Sequence, residues 1–425
     1  MGRFTGIIGI VIILGLAFLW SNNRKAINYR LVVTGLLLQL VLAFFILKVP
    51  AGQEIFGWLG RAINKLLQFS QQGGAFVFGD LTQVSKILPP EIVSAGVFLF
   101  VLIPTIIFVC VLVSMAYHVG LMQRIVSLLA RFVHWAMRVS GSEALSNVAS
   151  AFVGQVEAQI MIRPYLRGMT RSELLASMTG SMACIAGGVM AVYISMGVPA
   201  SYLLAASLMA APGALVISKI VFPETEVSET KGTVKLEVKK VHTNIMDAIA
   251  HGASDGMAIS INVIAMLIGV IALVALVDAL LGYFGHFLSW TGVSLKAIGL
   301  NVDHLRLKDV FGAFFSLFAV VMGVPASESF SVGSLMGTKM VINEFVAYSD
   351  LSPMIHQGLL SAKSIVIASF ALCGFANFSS IAIQLGGIGA MAPERKGDLA
   401  RLGFKAMICG TMASYISASL AGILL

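Results

Sequence analysis

Several runs in this sequence are apolar for close to, or more than, the roughly 18 to 20 residues that a helix needs to cross a hydrocarbon core. Thr5 to Ser21, Leu31 to Val49, Ile92 to Tyr117 and Ile259 to Leu281 are the clearest. One globular core has no use for so many. Only 11% of the 425 residues are charged, where a soluble domain carries about 25%, and the mean hydropathy is +0.93. These runs make the chain an all-α polytopic membrane protein.

The net charge of +8 does not point to nucleic acid, because the basic residues sit in short segments between spans and form no long run or aromatic-basic patch. Cys110, Cys184, Cys373 and Cys409 all lie in apolar stretches, none in a CxxC spacing, and read as packing residues. The first run follows Arg3 like a signal peptide, but no small-residue cleavage site follows it, and Arg24, Lys25 and Arg30 come just after. By the positive-inside rule it is a retained span with its N-terminus outside. On that topology, 17 of the 28 lysines and arginines fall in the cytoplasmic segments 22–30, 118–171, 223–243 and 393–405. The outer segments hold Arg3, Lys48, Arg61, Lys65, Lys86, Lys296, Arg306 and Lys308.

Two segments are too polar to span. In Glu54 to Gln72, Ile55, Leu59, Ile63 and Leu66 share one face and charged and amide side chains the other, which predicts a helix lying in the outer interface. In Leu121 to Arg138, Arg124, Arg131 and Arg138 recur every seven residues, a stripe for inner headgroups. Pro223 to His242 mixes Glu224, Glu226, Glu229 and Glu237 with Lys231, Lys235, Lys239 and Lys240, and reads as a cytoplasmic linker between two halves. The predicted division is 1–91, N-terminal spans and outer interfacial helix; 92–222, a first repeat; 223–255, linker and interfacial helix; and 256–425, a second repeat.

The two halves resemble each other. Ser142 to Tyr165 reads SEALSNVASAFVGQVEAQIMIRPY, and Ser327 to Tyr348 reads SESFSVGSLMGTKMVINEFVAY. Both begin with Ser-Glu, both place a glycine eleven residues before a tyrosine, and both carry a glutamate between, Glu157 and Glu344. Each is followed by a polar-interrupted apolar segment, MACIAGGVMA from Met182 and ALCGFANFSSI from Ala371. Chance likeness in a small apolar alphabet is the alternative. A real repeat means that each half carries a re-entrant hairpin and a broken helix, since non-helical backbone at membrane depth survives only where it lines protein or a water cavity. Arg138 before the first hairpin and Arg163, Arg167 and Arg171 after it put its entrance on the cytoplasmic side. Inverted topology puts the second entrance outside, with the tips near the midplane.

Those hairpins hold Gln155, Glu157, Asn343 and Glu344, and the second broken helix holds Asn377, Ser379 and Ser380. An intramembrane carboxylate is costly unless paired or used, so Glu157 and Glu344 are functional candidates. The structural alternative is a glutamate bonded to backbone amides or to Lys339, and for Asn377 and Ser380 a simple helix cap. Carboxylates accept from hydroxyls and ring N–H groups, and Gln and Asn both donate and accept, a set suited to a neutral polyol or amide. His118, His134, His242, His251, His286, His304 and His356 are scattered, and no triad or metal constellation appears, which argues against an enzyme. Asp247, His251 and Asp255 share a helix face read as solvated, with a relay as the lesser alternative, while Asn262 and Asp278 stand in the sixth span.

The segment GTKMVINEFVAY, Gly337 to Tyr348, resembles the signature G-x-K-x-x-x-N-E-F-V-A-Y of the concentrative nucleoside transporter family, with a match at every specified position. FVGQVEAQIMIRPY, Phe152 to Tyr165, is similar to that family's first hairpin, and ASDG from Ala253 and GFANFSS from Gly374 to family stretches. The likeness runs from about residue 92 to the C-terminus. It implies a homotrimer in the inner membrane, eight spans per subunit, two opposed re-entrant hairpins, an inverted repeat, and an elevator-type transport domain carrying nucleosides by cation symport. The nucleobase would meet Gln155, Val156, Glu157 and Val189, with Phe375 nearby, and the ribose Glu344, Asn377 and Ser380. A sodium ion would sit at Ser150, Val153, Cys184 and Ile185. Ser150 stands where Asn is common, Cys184 where Ser is common, and a thiol suits a hard cation poorly. Sodium is expected ahead of the proton, which other family members use. Val156 replaces the usual Thr or Ser beside the base. No other cofactor is implied, and a carrier of another small polar solute is the alternative.

Overall fold

The computed structural model describes residues 2–79, 81, 98–231, 243–291 and 305–425. Residues 92–97 of the third predicted span, Lys86, Lys296, His242, His304 and the linker residues Lys235, Glu237, Lys239 and Lys240 lie outside the described residues. Among the described residues there is no strand, as long apolar segments dictate.

The chain opens with α1 (Gly2–Leu19), α2 (Tyr29–Lys48) and α3 (Pro50–Phe78). Asn28 caps α2 by accepting from Leu31 N, and Pro50 starts α3 at the position where its missing N–H costs nothing. Then come α4 (Phe98–His118) and α5 (Leu121–Met137), bent 75° apart across Gly120. α3 and α5 are the two amphipathic helices expected, although α3 runs well beyond Glu54 to Gln72 at both ends. Arg138 closes α5 in the left-handed conformation (φ 55°), with its N–H on His134 O at 2.8 Å.

Hairpin 1 follows as α6 (Gly141–Ser150), an irregular tip and the single turn α7 (Glu157–Ile160). α6 starts with a capping box between Ser140 and Glu143, and all its residues are buried. The fourth span is broken into α8 (Arg171–Ala183) and α9 (Gly187–Ser195), and α10 (Ala200–Val221) completes the first half. The second half repeats the plan: α11 (Ile245–Trp290), α12 (Leu307–Met322), hairpin 2 as α13 (Ala326–Val341) and α14 (Glu344–His356), a broken span as α15 (Ala362–Leu372) and α16 (Phe378–Met391), and α17 (Lys396–Leu424). Among the described residues α2, α8/α9, α10, the end of α11 and α17 are long and apolar enough to cross a membrane, and the apolar helices α1, α4 and α15/α16 take the places of the remaining expected spans.

One expectation is corrected. The helix bearing Asp247 and His251 is not separate from the sixth span, because α11 is a single helix of 46 residues. Its Gly252 and Gly256 bring α4 close, since a β carbon at either would collide with the backbone of Cys110, Val111 or Ile107. Asp278 on α11 accepts from Leu307 N at 2.7 Å, fixing the start of α12.

The core lies where α17 packs against α1, α8, α10 and α15. There Gly374, at φ 102°, sits on the carbonyl of Ala183, so the breaks of the two broken spans touch. Only glycine tolerates both that conformation and that approach. At the base of hairpin 1, Lys219 is buried in an ion pair with Glu143, 3.2 Å from Glu224 and 2.8 Å from Ser172 Oγ. The described start of the linker is strapped there: Thr230 Oγ1 donates to Glu173 at 3.0 Å, and Thr230 O accepts from Gly141 N.

Candidate functional site

Hairpin 2 turns at Ile342 and Asn343. Asn343 caps α14 by accepting from Val346 N at 2.9 Å, which places Glu344 at the first helical position, where the free N–H groups favour an anion. Glu344 is buried, 5% exposed, and each of its oxygens has a donor. Tyr193 OH donates to Oε1 at 3.1 Å and Asn377 Nδ2 to Oε2 at 2.9 Å. Lys339, the structural alternative for this carboxylate, is engaged elsewhere: its ammonium donates to Ala371 O and Cys373 O.

Asn377 does both things the sequence allowed. Its Oδ1 caps α16 by accepting from Ser380 N at 2.9 Å, while its Nδ2 holds Glu344. The cluster then crosses to hairpin 1, where Gln155 Nε2 donates to Ser380 Oγ at 3.3 Å and Gln155 Oε1 accepts from Gln384 Nε2 at 3.4 Å. Gln155, Glu344, Asn377 and Ser380 are thus one buried hydrogen-bonded chain between the two hairpin tips and the break of the seventh span. Phe375 lies in that break, half buried, its carbonyl accepting from Asn377 N.

Glu157 is not part of that chain. It is exposed to a cavity of about 620 Å³ enclosed by hairpin 1, α4, α9 and α11, which Val189 also lines. Gly154 lies directly beneath its carboxylate, where any β carbon would collide. Tyr117, His118, Gln123, Arg163, His251 and Asp255 complete the polar wall. His251 and Asp255 therefore face the cavity, and His251 also lies 3.4 Å from Asp247. Val156 packs on the bare backbone of Gly387 in α16. The structure divides the predicted residues into a buried half, built around Glu344, and a cavity-facing half with Glu157 and Val189.

Sequence reasoning missed Tyr193, Gln384 and Gln159. Gln384, polar inside the apolar run IAIQLGG, was the available signal. Tyr193 has no local mark: it reaches Glu344 because α9 crosses α14, and it stacks on Tyr348 with centroids 4.3 Å apart. Gln159, fully buried, bonds Ser181 Oγ at 2.7 Å and Ser177 Oγ at 2.6 Å, pinning the return of hairpin 1 to α8.

Ser150, Val153, Cys184 and Ile185 are all buried where the end of α6 meets the break of the fourth span. Ser150 Oγ donates to Ser146 O at 2.7 Å and lies 3.0 Å from Ser181 Oγ. Among the described residues the carbonyls of Val153 and Ile185 accept no hydrogen bond. Those two carbonyls and the Ser150 hydroxyl are hard oxygen donors of the kind that hold sodium at unwound helices. The Cys184 thiol points to Ser207 O at 3.7 Å and offers soft sulfur instead.

Opposed re-entrant hairpins and two broken helices meeting at a buried polar cluster define a multi-span membrane transporter. The family profile described as Na+ dependent nucleoside transporter N-terminus matches residues 8–81, Nucleoside recognition matches 99–200, and Na+ dependent nucleoside transporter C-terminus matches 202–422. An uncharacterized transporter of Haemophilus influenzae is 41% identical over 100% of this chain and 98% of its own length. The nucleoside permease NupC of Helicobacter pylori is 35% identical, over 98% of this chain and 96% of its own. The structure of CNTnw in an inward-facing substrate-bound state is 39% identical, with a TM-score of 0.90 over 100% of this chain and 98% of that one. CNTnw variants in outward-facing and intermediate states superpose at 0.89 and 0.88.

The chain belongs to the concentrative nucleoside transporter family. Its relatives are permeases, so it is a carrier and not an enzyme, and its fold is that of the elevator-type transporters.

Proposed function

We propose that this protein imports nucleosides such as uridine across the bacterial inner membrane by sodium symport, through elevator-type alternating access. The observation that carries the reading is the placement of Glu344. It is a buried carboxylate aligned by Tyr193 and Asn377 at the start of α14, against the break of a spanning helix. Vicinal ribose hydroxyls are the donors such a carboxylate takes, and Asn377, Ser380 and Gln155 supply the remaining donors and acceptors. The base would enter from the cavity, against Glu157, Val156 and Val189, with Phe375 as an apolar wall. Sodium, as co-substrate, would sit among Ser150, Val153 and Ile185, with Cys184 the weak member. The protein would work as a homotrimer with its N-terminus outside.

Proton coupling is the second reading. It is favoured by the thiol of Cys184 at the ion position and by a Glu157 carboxylate open to the cavity. Radiolabelled uridine uptake into proteoliposomes, with sodium and pH gradients imposed separately, decides between them. Uptake driven by neither gradient sinks both, and competition by sugars or amino acids rather than nucleosides would assign a different solute.

A further inference from the structure

Lys339 is 1% exposed, and among the described residues its ammonium forms no contact ion pair, although the Glu344 carboxylate is near enough to act on it through space. It donates instead to Ala371 O at 2.9 Å and Cys373 O at 3.0 Å, where α15 breaks. Ser414 Oγ adds a bond to Cys373 O at 2.8 Å. The final carbonyls of a helix lack partners within it and carry partial negative charge. Unwound carbonyls of this kind are where membrane carriers hold small cations. Lys339 brings a cation there on a covalent stem.

The first repeat has the same junction without the lysine. Thirty-four residues separate Ser150 from Cys184, and thirty-four separate Lys339 from Cys373. Cys184 and Cys373 are the residues that close α8 and α15. Ser150 and Lys339 both stand near the end of a hairpin's first arm and both reach the last turn of the broken helix beside it, Ser150 through Ser181 Oγ at 3.0 Å. In the first repeat no ammonium reaches the end of α8, where Ser150 meets only the Ser181 hydroxyl; in the second the Lys339 ammonium takes the Ala371 and Cys373 carbonyls at the end of α15.

We propose that Lys339 is a built-in counterpart of the transported cation, so that the protein has one exchangeable ion position and not two. The inference rests on the ion lying between Ser150 and Ile185 in the first repeat. The break of the seventh span is then held permanently, and only the break of the fourth span waits for a mobile ion. Lys339 is a positioning residue: it touches the frame that carries Asn377 and not the cargo.

The test is the thermal unfolding midpoint of the purified full chain, without nucleoside, in sodium, ammonium or choline chloride. Lys339→Arg is expected to keep the wild-type midpoint and ion response. Lys339→Met is expected to fall by several degrees in choline and to recover in sodium or ammonium through an added, saturable response that the wild type lacks. A Lys339→Met midpoint equal to wild type in choline overturns the proposal. So does a loss, or a failure to fold, that no small cation repairs, because a built-in ion must be replaceable by a free one. The converse variant, Ser150→Lys, is expected to lose the wild-type rise with sodium, and retention of that rise overturns the proposal independently. Because no nucleoside is added, failure of uridine uptake would remove the functional reading without touching this one.

Discussion

In hairpin 1 the first arm stops at Ser150, and the chain wanders through 151–156 before one turn of helix. In hairpin 2 a 16-residue arm runs to Val341, and a 13-residue return arm begins at Glu344. The bases differ as well. Hairpin 1 is anchored by the buried pair Lys219 and Glu143, whereas hairpin 2 is tied by Glu328 accepting from Ser361 N at 3.0 Å and Ser361 Oγ at 2.9 Å. At the tips, Glu344 has both oxygens satisfied while Glu157 faces a cavity. The repeat is therefore symmetric in path and asymmetric in chemistry: hairpin 2 ends in a buried carboxylate whose partners are in place, and hairpin 1 is held firmly at its root with the Glu157 carboxylate open at its tip.

The largest expected effect tests the roots. Glu143→Gln leaves the buried Lys219 ammonium with Glu224 as its one remaining carboxylate and should cost about 3 kcal/mol of stability, read as a fall in thermal unfolding midpoint, while Glu328→Gln, which trades only neutral partners, should cost about 1 kcal/mol. Equal losses would erase the distinction between the two bases. Next come the tips. Glu344→Ala leaves the Tyr193 and Asn377 donors without a buried acceptor and should lower uridine kcat/KM roughly a hundredfold; normal accumulation in proteoliposomes would remove the assignment. Tyr193→Phe deletes one of the two bonds to that carboxylate and is expected to weaken uridine binding about tenfold at unchanged folding, checked by calorimetry in detergent. Glu157→Gln should be the mildest, at about 1 kcal/mol or roughly fivefold. A larger loss at Glu157 than at Glu344 would reverse the comparison.

Much of this was legible in the sequence, and the remainder was hidden for identifiable reasons. The paired Ser-Glu at 142–143 and 327–328 marks equivalent positions, the second and third residues of α6 and α13, because each hairpin needs an acid near its first free N–H groups. The glycine-to-tyrosine spacing does not mark equivalent positions. Gly154 lies beyond the end of α6, Gly337 lies inside α13 against Phe311, and the unequal arms slide the two registers apart. Asn377 was readable as cap or ligand, but only the fold reveals that its two amide atoms divide those tasks. Tyr193 was unreadable, since its partner lies 151 positions away and its neighbours are ordinary apolar residues. The orientation of Glu157 depends on the irregular tip, where no periodicity fixes which way a side chain points.

α11 remains. At 46 residues it is about 70 Å from end to end, more than twice the roughly 30 Å of a hydrocarbon core. Spanning helices tilt by up to about 40°, and at such a tilt a rod of this length still outruns the core, so at least one of its tips stands beyond it. It gives the molecule a long mast, gripped by α4 through Gly252 and Gly256, against which any displacement of the hairpins can be gauged with one spectroscopic label on each.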